Sequence, residues 1–438
     1  MRTKFPYRYR VLIFLFVLIA ITYLDRICIG LVGVRMKKEF LLSETQWGLV
    51  TGSFALAYAL FEIPSGILGD IKGQRTTLMR IVIWWSVFTA LTGLTTGFIS
   101  LVIVRFLFGM GEAGAFPNSS AVVSRWFPAN ESSLGLSSLQ AGVCFGAAIA
   151  PFIVVPLEEN FGWRSTFFVN GLIGLVWVAV CFYWFRNNPS EAKGISPEEK
   201  IFIEANRTVG SHRETVPWKV IFKSRTLLAL VLSYFCSQWN IYFLIAWLPK
   251  FLEQGRHFSE RNMMVGASFV FIPAMVMALP GGVFSDRLIK KKGLKSGRRV
   301  TGVSAIAMIG LLVLAEATTS NSTILIVCLC ASEIFQVIYA FTAFGVCVDI
   351  SGKHTGRIAG IMNFFGQTGA LFMTVIFGKI VDLTHGNFNA PLFVIAAVSL
   401  AGSILFLLVD PTKKLTLEHP EPKIQIVVPS EPIRPVKS

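Results

Sequence analysis

Long apolar stretches, each with few or no charged residues, are the feature that most restricts the fold of this chain. The first extends over residues 11–31, and similar stretches recur up to residue 409. An apolar run of about 18 or more residues is long enough to cross a bilayer as a helix. Charged residues make up only 15% of the 438 residues, against about 25% in soluble domains. The sequence therefore predicts an all-α membrane protein that crosses the bilayer many times.

Glycines, prolines and clusters of charge divide the apolar sequence into segments of helix length. Cutting the chain at these residues predicts twelve transmembrane helices in two six-helix halves. The predicted domains are an N-terminal half (1–185), a cytoplasmic linker (186–225), a C-terminal half (226–409) and a disordered cytoplasmic tail (410–438). The predicted spans are residues 11–31, 47–69, 78–97, 99–122, 134–157, 163–185, 226–251, 262–284, 300–318, 323–349, 356–382 and 389–409.

Basic residues are distributed unevenly between the two sets of loops. Of the 40 Lys and Arg residues, 30 fall in the termini, the linker and the loops on the same predicted side, whereas 8 fall in the alternate loops. An excess of Lys and Arg marks the cytoplasmic side of a membrane protein, so both termini are predicted to be cytoplasmic. This pattern also accounts for the net charge of +15. We therefore predict a lipid bilayer as the partner and no binding of nucleic acid.

Cysteine positions and the lack of catalytic patterns argue against a metal site or an enzyme. All seven Cys residues lie in apolar stretches without CxxC or Cys/His spacing, which is typical of small apolar core residues. The sequence offers no nucleophile–base pattern, so no catalytic residue, no metal and no cofactor is predicted. The predicted coupling ion is the proton. Gly109, Gly111 and Gly114 match a dinucleotide-binding pattern, but they lie within an apolar helix. We interpret them as sites of close helix packing.

Two pairs of matching segments indicate an internal repeat. Gly66-x-x-x-Asp70 follows the second predicted span and Gly282-x-x-x-Asp286 follows the eighth, and each leads into a basic turn. Gln140 and Gly146 of the fifth span align with Asn363 and Gly369 of the eleventh at one common offset. Parallel repeats of this kind are typical of transporters, whose substrate site lies between the two halves near the middle of the membrane.

Several motifs resemble those of a known transporter family. The segment from Gly66 to Arg75 is similar to the loop signature of the major facilitator superfamily, with Ile71 where Arg is usual. Tyr23-Leu-Asp25-Arg26, residues 105–117 and Asn363-Phe-Phe-Gly366 resemble the anion:cation symporter family. That family includes bacterial galactonate, glucarate and hexuronate transporters and is similar to animal sialic acid, phosphate and vesicular glutamate carriers. The resemblance covers about residues 10–410 and implies the major facilitator fold. It also implies a gating role for Gly66, Asp70, Gly73, Arg75, Asp286 and Arg287.

Two arginines within predicted spans, Arg26 and Arg105, are the candidates for anion binding. Arg stays protonated at physiological pH, so each is a fixed positive charge in a low dielectric. Such a charge either selects an anionic substrate or neutralises a neighbouring carboxylate. Tyr23 is three residues from Arg26 and shares its helical face, whereas Asp25 points about 100° away. The family resemblance implies that Arg26 is a substrate ligand.

Polar groups on apolar helices supply further candidates for substrate binding. Tyr58, Gln140 and Asn363 could hydrogen-bond either sugar hydroxyls or a neighbouring helix. The family resemblance favours contact with substrate for all three. Trp239 is a further candidate, although Trp is also common as packing.

Proton coupling is predicted for two carboxylates. All five His residues lie in predicted loops or in the tail, so the side chain that most often titrates near neutral pH is absent from the predicted spans. Burial raises the pKa of a carboxylic acid, so that a buried one can carry protons near neutral pH. Glu112 and Asp25 are the candidates, and both match positions that the family uses for coupling. Glu112 shares a helical face with Arg105, two turns away.

The predicted function is proton-coupled import of a small organic anion by alternating access. The substrate is expected to be a sugar acid such as a hexonate, hexuronate or aldarate. An organic-anion exchanger or an efflux carrier of the same fold is the alternative, because fold does not determine the direction of transport. A membrane sensor would require an added soluble domain. We expect a monomeric, multi-pass protein of the cell membrane, such as the bacterial inner membrane.

Overall fold

The computed structural model describes residues 5–128, 131–206, 224–351 and 355–415, without the side chains of 132–133, 278–279, 281–286 and 356–357. The described residues are almost entirely helical and include no strand. Most of the predicted spans are present as single helices whose ends differ from the prediction by a few residues. The helices are α1 (Tyr7–Leu31), α2 (Gly33–Phe40), α3 (Glu44–Lys72), α4 (Gln74–Thr92), α5 (Phe98–Glu112), α6 (Ala115–Trp126), α7 (Ser132–Phe161), α8 (Trp163–Tyr183), α9 (Pro197–Asn206), α10 (Arg225–Tyr242), α11 (Glu260–Lys292), α12 (Leu294–Thr318), α13 (Ser322–Ser351), α14 (Thr355–Leu383) and α15 (Ala390–Leu407).

Ten of the helical stretches in the described part of the chain are long and apolar enough to cross a membrane. One of them continues α10 through two π-helical turns, Phe243–Trp247 and Phe251–Gly255. The helices α4 and α11 correspond to the third and eighth predicted spans and are also long, but they are not among the ten. Arg75 and Arg80 near the start of α4 lower its mean hydropathy. The all-α, multi-pass architecture is confirmed, whereas the count of twelve spans and the side of the termini stay predictions.

The predicted span over residues 99–122 is present within one long apolar stretch, Phe98–Trp126, but its helix is interrupted near the middle. The helix α5 ends at Glu112 and α6 begins at Ala115. Gly114 between them has a φ of +93°, a left-handed conformation that L-residues with a side chain rarely adopt. Pro117 lacks the N–H that would continue the hydrogen-bond ladder of α5. The interruption leaves Glu112 at the carboxyl end of α5.

The packing of the helices repeats between the two halves of the chain. In the first half α1 packs along α7, α3 along α5, and α4 along α8. The second half has the corresponding pairs, α10 with α14, α11 with α13, and α12 with α15. The main contacts between the halves are the pair α3 and α14 and the pair α7 and α11. Each of these two pairs is converted into the other when the two halves are interchanged. This arrangement is the one expected for two parallel repeats around a central axis.

The contact between α3 and α14 is tight at one end and wider at the other. We call the end of the bundle that holds the start of α1 and the finish of α15 the terminal end, and the opposite end the distal end. A Cβ added at Gly48, near the distal end, would collide with the backbone of Thr374. Further along, a Cβ at Gly52 would lie 2.8 Å from Leu371, and one at Gly360 would lie 3.4 Å from Ile63. The two helices therefore diverge toward the terminal end.

The described part of the predicted linker folds back against the first half. It contains a 3-10 turn at Pro189–Glu191 and the helix α9. The Glu199 carboxylate accepts hydrogen bonds from the backbone N–H groups of Tyr7 and Arg8, at 2.8 and 3.1 Å. An acid at this place satisfies N–H groups that lack a partner within the first turn of α1. Linker residues 207–223, and the predicted disordered tail from residue 416 onward, lie outside the described residues.

We expect Gly146→Ala to lower the thermal stability of the protein in detergent by several degrees. Gly146 on α7 faces the backbone carbonyl of Ala20 on α1, so that an added Cβ would collide with it. Inserting an atom into such a contact costs about 1–3 kcal/mol. Gly97→Ala is the matched control, because Gly97 has an extended backbone and a Cβ there would meet nothing within 4 Å. Equal unfolding temperatures for the two variants would contradict this packing.

Candidate functional site

Arg26, near the middle of the bundle, is enclosed by aromatic rings. It is 6% exposed, although it carries a fixed charge. Its guanidinium carbon lies 4.9 Å from the ring centroid of Tyr23, 4.6 Å from that of Tyr58 and 5.2 Å from that of Phe54. Ring faces attract cations, and rings of this kind also exclude water from the charge. The predicted shared face of Tyr23 and Arg26 is thus present, and α3 supplies the other two rings.

Glu112 is the acidic partner of Arg26. Its carboxylate accepts a hydrogen bond from the Arg26 Nε and forms an ion pair with it, and the acid is fully buried. The second carboxylate oxygen of Glu112 has no hydrogen-bond partner in the described part of the chain. The sequence places Glu112 on one helical face with Arg105, two turns away, whereas the ion pair of Glu112 runs across helices to Arg26 of α1. Removing one charge of a buried ion pair leaves the other charge buried without a partner, which is strongly destabilising. The charge states of Arg26 and Glu112 therefore depend on each other.

Asp25 and Arg105 are two further buried charged residues close to the Arg26–Glu112 pair. Asp25 is 2% exposed, and neither of its carboxylate oxygens has a hydrogen-bond partner among the described residues. As helical spacing predicts, it points away from Arg26, toward Trp85 of α4. Arg105 is also 2% exposed and packs on Phe54 and Phe108, with its guanidinium 5.4 and 4.4 Å from the ring centroids. Arg105 acts electrostatically on both Asp25 and Glu112.

Asn363 and Gln140, the two amides predicted to line one cavity, both face the boundary between the halves. Asn363 on α14 donates a hydrogen bond from Nδ2 to Oε1 of Glu62 on α3, at 3.1 Å. Gln140 is partly exposed, and Cys144 one turn further along α7 packs against Ala274 and Val337 of the second half. Residues four apart share a helical face, so Gln140 is directed toward the same boundary. Neither amide lies on an outer face of the bundle.

Tyr242 and Trp239, three residues apart on α10, have different surroundings. The Tyr242 hydroxyl donates a hydrogen bond to Gln367 of α14, and its ring is within electrostatic range of Arg26. Trp239 is 5% exposed and lies among apolar side chains of α14 and α15, including Met373 and Ile395. This environment favours packing for Trp239, the second of the two roles that the sequence left open. Tyr242, which the sequence analysis did not select, lies closer to the charged site.

The predicted gating residues lie at the terminal end. Gly66 has open space around it and Asp70 is exposed. Gly73 has a φ of +82° and begins a new helix direction. The Arg75 backbone N–H donates to Asn187 at 2.8 Å, and its side chain donates to the carbonyl of Phe182, which ties α4 to the carboxyl end of α8. Arg287 is exposed, whereas the side chain of Asp286 lies outside the described residues.

Charged side chains close the distal end between the two halves. Lys250 is 0% exposed and pairs with Glu44 of α3, which also pairs with Lys37. The rings of Trp47 and Trp247 lie 5.5 and 5.2 Å from the Lys250 Nζ. Asp382 of α14 accepts hydrogen bonds from the backbone N–H groups of Glu44 and Thr45, at 2.9 and 2.7 Å. An acid from one half therefore caps the first turn of a helix in the other half.

We expect Lys250→Met to loosen the distal closure, because Glu44 would lose its buried partner from the second half. Spin labels at Lys38→Cys and His385→Cys, which replace exposed residues of the two halves, report the separation of α2 from the carboxyl end of α14. Their distance distribution should broaden toward longer values in the Lys250→Met protein. Lys379→Met is the control, since Lys379 is an exposed lysine of the same end. An unchanged distribution would show that the Lys250 pair does not hold the halves together.

Two features of the site were missed from sequence. Lys250 is a lone basic residue near the end of an apolar run, which usually indicates an exposed residue. Glu62 is four residues after Tyr58 and therefore shares its helical face. That spacing was the available signal. The contact of Glu62 with Asn363 depends on the packing of two helices 301 residues apart, which spacing along one helix does not reveal.

Comparison with known proteins agrees with this architecture. The family model described as Major Facilitator Superfamily matches residues 15–374. Among similar proteins, the hexuronate transporter of Bacillus subtilis is 29% identical over 402 residues, covering 90% of this chain and 92% of that protein. The D-galactonate transporter of Escherichia coli O6:H1 is 27% identical over 416 residues, covering 92% and 95%. The sodium-dependent phosphate transport protein 1, chloroplastic, of Arabidopsis thaliana is 27% identical over 427 residues, covering 94% and 81%.

A solved structure resembles the fold over nearly the whole chain. The crystal structure of a bacterial homolog of the human lysosomal transporter Spinster, in an inward-facing and occupied conformation, has a TM-score of 0.73. It covers 93% of this chain and 97% of the other, at 20% sequence identity. At this level of identity the likeness concerns the fold alone.

Proposed function

Because the chain belongs to the Major Facilitator Superfamily, we propose that it imports a small organic anion together with protons by alternating access. The protein is a multi-pass membrane transporter and not an enzyme. The resemblance to bacterial sugar-acid carriers that the motifs indicated is confirmed by the named relatives. Within this class we propose a sugar acid as the substrate. We also propose that the protein has twelve spans and that both termini lie in the cytoplasm of a bacterial cell.

The buried, ring-lined Arg26 is the observation that carries the proposal. A guanidinium away from water offers a carboxylate two parallel hydrogen bonds, which is the strongest recognition of an anion by a side chain. Only one carboxylate oxygen of Glu112 engages Arg26, so a substrate carboxylate that forms two hydrogen bonds with the guanidinium can displace it. Tyr23 and Tyr58 border the same charge and supply hydroxyl groups. Gln140 and Asn363 would contact the substrate from the two halves.

Competition for Arg26 provides a mechanism for proton coupling. A substrate carboxylate that binds Arg26 displaces Glu112, which is then a buried acid without a positive partner. An unpaired buried charge is costly, and taking up a proton removes that cost. Binding of the anion is thereby linked to protonation of Glu112. Asp25, which has no hydrogen-bond partner among the described residues, is the proposed second coupling acid, and Arg105 supplies its positive neighbour.

The shape of the bundle fits one state of an alternating-access cycle. The distal end is closed by the Lys250–Glu44 pair and by Asp382, while α3 and α14 diverge toward the terminal end. With the terminal end in the cytoplasm, as the positive-inside rule indicates, we assign this structure to the inward-facing state. Release of substrate would occur on the side that carries the loop signature.

Uptake by the purified protein in proteoliposomes tests the proposal. The assay uses radiolabelled galactonate, glucuronate, galactarate and phosphate in sodium-free buffer, with an acidic exterior. We expect accumulation of at least one sugar acid that collapses when a protonophore is added, and exchange of that anion without a gradient. Liposomes without protein are the control. Failure of every anion to accumulate would refute proton-coupled import, and exchange alone would favour an exchanger.

A further inference from the structure

Glu62 is a buried carboxylate that the proposed mechanism does not yet use. It is 4% exposed and lies on α3, one helical turn from Tyr58 and so on the same face. Its Oε1 accepts the hydrogen bond from Asn363 of the other half. Its Oε2 has no hydrogen-bond partner in the described part of the chain. A buried, unpaired acceptor of this kind is costly unless another group occupies it.

The surroundings of Glu62 place it at the substrate site. Tyr58 separates it from Arg26, because the Tyr58 ring borders the Arg26 guanidinium at 4.6 Å. Arg26 is also the charged side chain that acts on Glu62 electrostatically. Asn363, one of the proposed substrate ligands, is already in direct contact with it. A substrate held at Arg26 by its carboxylate therefore extends past Tyr58 toward Glu62 and Asn363.

The pair of Glu62 and Asn363 has the chemistry of a hydroxyl-binding site. A carboxylate oxygen accepts a hydrogen bond from a hydroxyl group, and an amide can both donate to it and accept from it. The unpartnered Oε2 of Glu62 is free to accept such a bond. At a pH where Glu62 is ionised, an anionic group at the same place would instead meet a like charge in a low dielectric, where repulsion is strong.

Glu333 of the second half adds a further acid near the same site. It is 2% exposed, one of its carboxylate oxygens has no hydrogen-bond partner among the described residues, and it acts electrostatically on Tyr23. Arg26 already pairs with Glu112, so its positive charge suffices for one substrate carboxylate. Among the described residues Arg26 is the cation that acts on Glu62, so a second substrate carboxylate there would have no cation of its own.

We propose that Glu62 determines the charge of the accepted substrate, so that the transporter takes polyhydroxy monoanions and rejects dianions. In this arrangement Arg26 binds the carboxylate, and Glu62 with Asn363 binds the hydroxyl groups at the far end of the same molecule. The inference rests on the proposed function and narrows it from sugar acids in general to hexonates and hexuronates. Aldarates, which carry a carboxylate at both ends, are excluded by the charge of Glu62.

Galactonate and galactarate form a matched pair of probes for this proposal. They share the same chain of hydroxyl groups and differ at one end, which is a hydroxymethyl group in galactonate and a carboxylate in galactarate. We expect the parent protein in detergent to bind galactonate at least tenfold more tightly than galactarate. Glu62→Gln should reduce that preference about tenfold, mainly by tightening galactarate binding, since Gln keeps an acceptor for Asn363 but has no charge.

Two further variants make the test decisive. Glu316→Gln is the matched control, because Glu316 is 0% exposed but lies on α12, which packs against helices of the second half. The ratio of its galactonate affinity to its galactarate affinity should equal that of the parent. Glu62→Asp keeps the carboxylate and should keep a preference for galactonate, which checks the charge effect with a second protein. An unchanged ratio in Glu62→Gln, or a parent that prefers galactarate, would overturn the role of Glu62. Absence of binding by every sugar acid would overturn the proposed function itself.

Discussion

Replacing Arg26 with alanine is expected to abolish binding of the sugar acid, with a loss of affinity of at least a hundredfold. The guanidinium is buried among three rings and is the proposed ligand of the substrate carboxylate. Arg26→Lys should be nearly as harmful, because an ammonium group lacks the planar fork that binds a carboxylate through two hydrogen bonds. Dissociation constants of the purified variants, measured by calorimetry in detergent, check this result.

A control variant separates loss of binding from loss of folding. Arg26→Ala leaves Glu112 buried without its partner, which costs about 3–5 kcal/mol of stability. The double variant Arg26→Ala/Glu112→Gln removes both charges, so its unfolding temperature should return toward that of the parent while binding stays absent. Sugar-acid affinity within twofold of the parent in either variant would rule out Arg26 as the ligand.

Glu112→Gln is expected to uncouple transport from the pH gradient. Glutamine imitates the protonated acid, so the variant should still bind the anion and exchange it across the membrane. It should lose the accumulation that one proton can drive, which is about tenfold for a gradient of one pH unit. Because Gln does not neutralise Arg26, the affinity of the variant for the anion should equal or exceed that of the parent. Counterflow and gradient-driven uptake in proteoliposomes separate the two activities.

Two other buried acids serve as comparisons for Glu112. Glu316→Gln should retain normal accumulation, since Glu316 lies on α12, away from Arg26. Asp25→Asn should weaken accumulation, because Asp25 is the proposed second coupling acid. Unlike Glu112, Asp25 forms no ion pair among the described residues. If Glu112→Gln concentrates the sugar acid as well as the parent does, the coupling proton must be carried elsewhere, and Asp25 becomes the leading candidate.

Features that depend on one helix were predictable from the sequence. The apolar runs gave the positions of the long helices, because their length is set by the bilayer. Helical spacing placed Tyr23 beside Arg26 and turned Asp25 away from both. The repeat of Gln140 and Asn363 predicts that both amides face the boundary between the halves; Asn363 contacts Glu62 of the first half, and Cys144, one turn from Gln140, packs against the second half.

Features that depend on contacts between helices were not predictable in the same way. Spacing on α5 suggested Arg105 as the neighbour of Glu112, whereas packing of α1 against the end of α5 brings Arg26 instead. The break at Gly114 was hidden because a glycine in an apolar run is equally compatible with close packing. Burial of Lys250 requires both Glu44 and the two tryptophans around it, and these come from distant parts of the chain.

The exchange of partners at Arg26 is the central claim, and the number of protons taken up on binding tests it most directly. Calorimetric titration of the purified protein with its sugar acid, at one pH in buffers of different ionisation enthalpy, gives that number. We predict uptake of about one proton per anion by the parent, with affinity that strengthens as the pH falls, and uptake of close to none by Glu112→Gln. Binding to the parent without proton uptake, or equal uptake by the two proteins, would contradict the mechanism.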